Sequence, residues 1–153
     1  MSSPAPRPAP LHADTGADAP EVGRAAADWY RARARDLPWR SAEVSPWGVL
    51  VSEFMLQQTQ VSRVLPRWTE WMRRWPTPAA LAAAPPDAVI RAWGRLGYPR
   101  RARWLHRCAQ AIRDEHNDVV PRDPAVLRAL PGVGPYTAAA VAAFAYQVRV
   151  PVV

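Results

Sequence analysis

The sequence predicts an all-α protein, and three features of the 153-residue chain support that fold class. Apolar residues recur at three- and four-residue intervals along most of the chain, which is the spacing of one helix face. A capping residue precedes proline at Ser45-Pro46, Thr77-Pro78 and Asp123-Pro124, a signature of helix N-termini. We identify no convincing alternation of a β-strand and no solenoid repeat. We therefore expect helices joined by short connections that proline and glycine mark.

The elements follow in order from the N-terminus. Residues 1–20 form a tail rich in Ala and Pro, which has too few large apolar side chains to order itself. Residues 21–153 form the helical part. The predicted helices cover residues 21–36, 46–61, 64–75, 79–84, 86–93, 99–116, 124–130 and 136–146, and the third is expected to continue the second. Within them, we assign four tryptophans to the core: Trp68, Trp71, Trp75 and Trp93.

Charge and cysteine content narrow the functional classes. The net charge is +7, and all 20 basic Lys+Arg positions are Arg. Such a field favours polyanions, nucleic acid before a membrane surface, although a solvated basic surface is the alternative. The single Cys108 excludes an internal disulfide or a multi-cysteine metal site within the chain, and we expect it to be buried. With no membrane-spanning window and no signal-peptide pattern, a cytoplasmic location is the default expectation.

Glu53 is the first candidate for chemistry. As a helix, its segment places this carboxylate on one face with Val49, Leu50, Leu56 and Gln57. A carboxylate among aliphatic side chains is costly unless it is paired, exposed at a cleft or protonated. Such a group is suited to act as a general acid.

A glycine turn, Leu130-Pro131-Gly132-Val133-Gly134, is the second candidate. Gly132 and Gly134 permit positive φ angles and a close backbone approach, and the following helix offers free N–H groups to an anion. The turn lacks the Gly-Lys-Ser/Thr ending of a P-loop. It is not a dinucleotide-binding fingerprint either, because no predicted strand precedes it and the third glycine is absent. Between two helices it matches a helix-hairpin-helix motif, at about residues 124–146, that binds a DNA backbone without reading bases; a plain helix-terminating turn is the alternative.

Other residues are suited to DNA but have common structural roles as well. Tyr98, after Gly97 at a helix break, is placed to enter a base stack, or simply to pack over the helix end. The polar run Gln57-Gln58-Thr59 suits minor-groove edges, or is a helix end facing water. The arginines from Arg100 to Arg107 are predicted to contact phosphates or to form a solvated face. Trp39 and Arg40 precede the Glu53 helix and are candidates to line a pocket.

Four segments, in this order and spacing, resemble the catalytic domain of bacterial adenine DNA glycosylases of the MutY type, in the helix-hairpin-helix superfamily. The resemblance covers about residues 25–153, and its most specific part is the run from Glu53 to Thr59. The four segments are Leu37-Pro-Trp-Arg40, Ser52-Glu-Phe-Met-Leu-Gln-Gln-Thr-Gln-Val61, Leu96-Gly-Tyr98 and Leu130-Pro-Gly-Val-Gly-Pro-Tyr-Thr-Ala138.

The resemblance implies a function and a role for each matching residue. The family excises adenine mispaired with 8-oxoguanine or guanine, after flipping the adenine into a pocket. Glu53 matches the acid that protonates adenine N7, and burial favours the protonated form of a carboxyl group. Tyr136 matches a pocket tyrosine that assists catalysis. The remaining implied site residues are Trp39, Arg40 and Leu56 in the adenine pocket, and Gln57, Gln58, Thr59, Tyr98, Pro131, Gly132, Val133, Gly134 and Thr137 at the DNA.

Tyr136 also separates two branches of the superfamily. The endonuclease III branch, whose glycosylases are also lyases, has a Schiff-base lysine at this position. This chain has Tyr136 there and no lysine at all, so a monofunctional N-glycosylase, a hydrolase, is predicted. The alternatives are a non-catalytic helix-hairpin-helix DNA-binding module and an endonuclease III-like glycosylase.

The resemblance further predicts what this chain lacks. In the family, an aspartate directly follows the segment that ends here at Val153, and its carboxylate stabilises the oxocarbenium-like transition state. The four cysteines of a 4Fe–4S cluster come later still, and Cys108 is not one of them by position. We therefore expect a truncated catalytic domain that is inactive alone, with the cluster only in the full-length protein and no metal ligands within this chain. A monovalent cation at the hairpin is a further ligand that the resemblance suggests. The expected partner is double-stranded DNA with an adenine mispair, bound by a bacterial, nucleoid-associated monomer with no membrane partner.

Overall fold

The computed structural model describes residues 37–147. The chain divides into two units, Met1–Ser41 and Ala42–Val153. The predicted tail at residues 1–20, the helix at 21–36 and the last residues from 148 onward lie outside the described part. In the first unit, Pro38–Arg40 forms a short 3₁₀ turn that Arg40 and Ser41 close with backbone hydrogen bonds to Leu37 and Pro38.

The second unit confirms the all-α prediction over its described residues. Its elements alternate longer helices with one-turn helices and short connections. We number the α-helices in chain order: α1 Pro46–Leu56, α2 Val61–Arg74, α3 Pro78–Ala82, α4 Pro86–Trp93, α5 Arg100–Glu115, α6 Pro124–Arg128 and α7 Pro135–Tyr146, with a 3₁₀ turn at Gly94–Leu96 between α4 and α5.

The three predicted N-caps are confirmed. The side chains of Ser45, Thr77 and Asp123 accept hydrogen bonds from backbone amides in the first turns of α1, α3 and α6, and proline follows each cap. Each cap satisfies a donor that the start of a helix leaves without an intrahelical partner.

The predicted end of the Glu53 helix is wrong, whereas the other predicted helix ends in residues 37–147 differ from the structure by at most three residues. The Glu53 helix was expected to reach Val61 and continue into the next helix, but α1 ends at Leu56 and α2 begins at Val61. Gln57 leaves the helical region at ψ 114°, and Gln58 has a φ of +60°. Neither glycine nor proline marks this break. Hydrogen bonds to the connection from elsewhere in the chain, above all to the Thr59 hydroxyl, replace the helical ones.

The core places α1 at the centre of the second unit. Nine consecutive residues, Trp47 to Met55, are buried in α1, which packs against α2, α5 and α7. The four tryptophans predicted for the core are buried, and Trp71 packs edge-on against both Trp75 and Trp93. Between residues 37 and 147, no helix combines the length and apolarity that crossing a membrane requires.

Candidate functional site

Glu53 lies in the last turn of the buried central helix α1. It is 8% exposed, so the carboxyl group is largely removed from water, as the helical pattern predicted. The last turn of α1 carries it toward the connection at Gln57–Gln60, where the polar candidates lie. A titratable side chain on a rigid, packed helix is well fixed in position, which is what a proton donor needs.

A side-chain hydrogen bond joins the end of α1 to the start of α7. Gln57 Nε2 donates to Thr137 Oγ1 at 3.2 Å, and Thr137 is itself buried. Tyr136, the neighbour of Thr137 in the chain, is 76% exposed. The bond therefore connects the helix that carries Glu53 with the first turn that carries Tyr136.

An open cleft of about 940 Å³ lies at the other side of this connection. Gln58 and Tyr98 both line it, and both are exposed, Tyr98 by 62%. Both also have left-handed backbones, with φ values of +60° and +50°. Non-glycine residues adopt this region at a cost of about 1–3 kcal/mol, and such residues are concentrated at binding sites.

The two threonines predicted to contact DNA have their hydroxyls engaged within the protein. Thr59 Oγ1 donates to Leu96 O at 3.1 Å and accepts from Arg101, while Thr137 accepts from Gln57. Both threonines are buried. Their DNA contacts stay predictions; the exposed neighbour of Thr59 in the chain is Gln58, and that of Thr137 is Tyr136.

Arg101 corrects the prediction for the arginine cluster. It was assigned to a phosphate-binding or solvated face, but it is only 9% exposed and points into the protein, where burial lowers the pKa of its guanidinium. The pattern of α5 contained the signal: Arg101 lies four and seven residues before Leu105 and Cys108, on the apolar face. The charge of Arg101 favours a place on the surface, but its position on the apolar face of α5 buries the side chain.

The glycine turn lies between α6 and α7, as the helix-hairpin-helix pattern predicted. Gly132 has a φ of +78°, and a Cβ atom there would lie 2.7 Å from the Cβ of Trp104 and 3.1 Å from the Phe54 ring. Gly134 differs from the expectation. Its φ is −92°, and a Cβ atom there would meet no atom of residues 37–147 within 4 Å, so within this part of the chain the local geometry requires glycine at Gly132 but not at Gly134.

The start of α7 has the features of an anion site. Gly134 is its N-cap, with no side chain to accept from the first amides, and Pro135 follows. Helix N-termini without a capping side chain present unbonded N–H groups and the positive end of the helix dipole. Gly132 and Tyr136 are both exposed on either side of this end, while Val133 is buried and Pro131 half-buried.

The remaining predicted pocket residues are less exposed. Leu56 is half-buried at the last position of α1. In the first unit, Trp39 is 1% exposed and Arg40 is half-buried. Within residues 37–147, no group of three or more His, Cys, Asp and Glu side chains is arranged to hold a metal ion, and Cys108 is fully buried. The residues present therefore do not fit a 4Fe–4S cluster.

Comparison with known proteins identifies the family. Residues 51–144, which run from α1 through α7, match the family described as HhH-GPD superfamily base excision DNA repair protein. The chain belongs to the HhH-GPD superfamily. This match contains Glu53, the Gln57–Thr59 connection, Tyr98 and the glycine turn, so the resemblance found in the sequence is confirmed.

Curated relatives place the chain more closely. It is 64% identical over 125 residues to the adenine DNA glycosylase of Mycobacterium tuberculosis, covering 82% of this chain and 41% of the relative. The adenine DNA glycosylase of Mycolicibacterium smegmatis is also 64% identical, with 82% and 43% covered. The human adenine DNA glycosylase is 42% identical, with 77% and 23% covered. The chain thus spans about two fifths of the length of its mycobacterial relatives.

Solved structures share the fold. A thermostable thymine-DNA glycosylase aligns with a TM-score of 0.68 at 26% identity, covering 72% of this chain and 51% of that one. An endonuclease III in a non-covalent complex with DNA aligns with a TM-score of 0.65 at 28% identity, covering 68% and 49%. The helical architecture is therefore that of HhH-GPD glycosylases, of which this chain represents about half.

Proposed function

We propose that the protein to which this chain belongs is a monofunctional adenine DNA glycosylase in base-excision repair. It removes adenine mispaired with 8-oxoguanine or guanine by hydrolysing the N-glycosidic bond. The observation that carries the proposal is Glu53, a carboxyl group held at 8% exposure in the central helix of the family's matched region. The high identity to mycobacterial adenine DNA glycosylases supports adenine as the base.

In the proposed reaction, Glu53 donates a proton to N7 of the flipped adenine. The electrons of the C1′–N9 bond then move to the base, which leaves as neutral adenine. Water adds its oxygen to C1′ and gives up a proton, which restores the protonated form of the Glu53 carboxylate, so the products are adenine and an abasic sugar. Tyr136, exposed at the start of α7, is proposed to assist at this pocket, and Trp39, Arg40 and Leu56 to form its wall.

The proposed DNA partner is a duplex with an adenine mispair. Exposed Gln58 and Tyr98 are assigned to the strand around the opposite base, and Gln57 and Thr59 to the DNA contact beside them. The uncapped N-terminus of α7 and the glycine turn are assigned to the phosphate backbone, which a net charge of +7 also attracts. We further propose a monomer in the bacterial cytoplasm, associated with the nucleoid through DNA.

Any 4Fe–4S cluster of the complete protein is proposed to be held by cysteines outside this chain, since the described residues do not provide ligands. No step of the proposed reaction depends on the cluster.

The test uses the protein expressed from its complete gene. A duplex with adenine opposite 8-oxoguanine is incubated with excess protein, and each sample is divided between alkaline treatment and none. Adenine release with strand breaks that need alkali supports the proposal. Breaks without alkali would instead support an endonuclease III-like lyase, and tight binding without base release would support a non-catalytic DNA-binding module.

A further inference from the structure

Arg101 makes an unusually dense set of hydrogen bonds for one side chain. Its Nη1 donates to the carbonyl oxygens of Phe54 at 3.1 Å and Met55 at 3.0 Å, and also to that of Gln57. Its Nη2 donates to Thr59 Oγ1 at 2.8 Å and to the carbonyl oxygens of Leu96 and Gly97 at 3.2 and 3.0 Å. One guanidinium therefore joins two segments of the chain, and Thr59 in the first is 37 residues before Leu96 in the second.

The first segment is the C-terminal end of α1. The last carbonyls of a helix have no intrahelical partner and carry the negative end of its dipole. The last turn of α1 contains no basic residue of its own. Arg101, from the first turn of α5, supplies the missing donors and a positive charge at this end.

The second segment is the turn that presents Tyr98. The carbonyls of Leu96 and Gly97 are fixed by Arg101, and the Trp93 indole donates to Gly97 O as well. The guanidinium carbon lies 5.1 Å from the centre of the Trp93 ring and 5.7 Å from that of Tyr98. Arg101 therefore contacts both the backbone and the ring of the Tyr98 turn.

Both segments carry backbone strain at the residue that lines the cleft. Gln58, just after the α1 end, and Tyr98, just after Gly97, have positive φ angles. Strained backbones persist only where surrounding contacts over-determine them. The groups that flank the two strained residues are the ones that Arg101 holds.

We propose that Arg101 is a positioning residue that sets Gln58 and Tyr98 in the geometry with which they engage DNA around the mispair. The inference rests on the proposed function for its DNA part, but not for the anchoring itself. A fork of fixed donors is essential to it, because a lysine ammonium, with one nitrogen, does not span six acceptors on two segments.

The first experiment measures anchoring without DNA. Hydrogen exchange followed by mass spectrometry compares wild type with Arg101→Lys and with Arg113→Lys, the same change at an exposed position near the other end of α5. Arg101→Lys is expected to speed exchange at residues 57–60 and 96–99 while the inner face of α5 around Ile112 stays protected. Arg113→Lys is expected to match wild type. Unchanged exchange at both segments in Arg101→Lys would overturn the anchoring.

The second experiment tests positioning through a double-mutant cycle with Tyr98→Ala. The readouts are the ratio of affinities for mispaired and matched duplexes, and the single-turnover rate of adenine release. We expect Arg101→Lys to lower each by about tenfold, and the further change Tyr98→Ala to cost the double variant less than about twofold more. Additive losses would show that Arg101 does not act through Tyr98, which would overturn its proposed positioning of that residue.

A second variant keeps Arg101 in place, so that the role of its contacts is tested even if Arg101→Lys fails to fold. Thr59→Val keeps the shape of Thr59 but removes the hydroxyl that links Arg101 with Leu96. It is expected to change exchange and the affinity ratio in the same direction, by a smaller factor; no change in either would contradict the proposed link. If wild type binds a mispair but releases no adenine, the proposed function fails, while the exchange and affinity results still decide the role of Arg101.

Discussion

The C-terminus of α1 and the N-terminus of α7 lie next to each other at this site, and they differ in whether a side chain bonds their free backbone groups. At the C-terminus of α1, the buried Arg101 side chain donates hydrogen bonds to the last carbonyl oxygens; we call this the closed end. At the N-terminus of α7, no side chain from the described part of the protein caps the first amides, and the flanking Gly132 and Tyr136 are exposed; we call this the open end. A closed end fixes the residues next to it, whereas an open end leaves its donors to a ligand. The closed end therefore belongs to positioning and the open end to backbone binding.

Glu53→Gln is expected to have the largest effect on adenine release, because it changes the group on α1 that is proposed to transfer a proton. The amide keeps the shape of Glu53 but has no acidic proton to give. Adenine release under single-turnover conditions is expected to fall by about 100-fold or more, the usual contribution of a general acid. Affinity for the mispaired duplex, measured by fluorescence anisotropy, is expected to stay near that of wild type, since the open end is intact.

Retained excision by Glu53→Gln would sink the assignment of the acid. A parallel loss of DNA affinity would instead place Glu53 in the folding of α1, and a thermal melt of the same variant distinguishes that case.

The glycine turn that precedes the open end of α7 is tested by a matched pair of glycine variants. Gly132→Ala forces a Cβ against Trp104 and Phe54 at a φ of +78°, while Gly134→Ala adds a Cβ that meets nothing within 4 Å among the described residues, at a φ of −92°. Gly132→Ala is expected to lose about 1–3 kcal/mol of unfolding free energy. Gly134→Ala should change it by less than about 0.5 kcal/mol. Urea unfolding of both variants checks this, and equal losses would mean that the turn relaxes freely.

The sequence was sufficient to predict the buried helix α1 and the glycine turn before α7, but not the tertiary hydrogen bonds around the end of α1. Apolar spacing predicted the burial of Glu53 on α1, and two glycines before a helix predicted the hairpin. The break after Leu56 was missed because tertiary hydrogen bonds, not a local breaker residue, end the helix there. The burial of Arg101 follows from its place on the apolar face of α5, but its hydrogen-bond partners do not, because its acceptors lie four to about 47 residues away and only the folded chain brings them together.

The link between the two ends is the hydrogen bond from Gln57 to Thr137. Thr137→Val keeps the shape of the side chain but removes the acceptor, so Gln57 Nε2 loses this partner in a half-buried position. We expect a loss of about 1 kcal/mol in unfolding free energy. The matched control is Thr69→Val on α2, whose exposed hydroxyl bonds only Leu65 O among the described residues; it should cost less. Equal losses in the two variants would mean that the Gln57–Thr137 bond contributes nothing of its own.

The titration of Cys108 has the smallest expected effect on stability at neutral pH. It tests whether water reaches the inner face of α5, the helix that carries Arg101. Cys108 lies two turns after Arg101 on the same face of α5 and is fully buried, and burial raises the pKa of its thiol from 9.0 to about 12. The folded state therefore holds the thiol proton more tightly than the unfolded state. That stabilisation is fully present below pH 9 and is lost as the pH rises toward 12, by about 1.4 kcal/mol per pH unit. Cys108→Ala should flatten the decline of stability between pH 9 and 11 relative to wild type, measured by urea unfolding at each pH. Rapid labelling of native Cys108 by a thiol reagent at pH 7 would show that water reaches this face, and that the closed end of α1 opens readily.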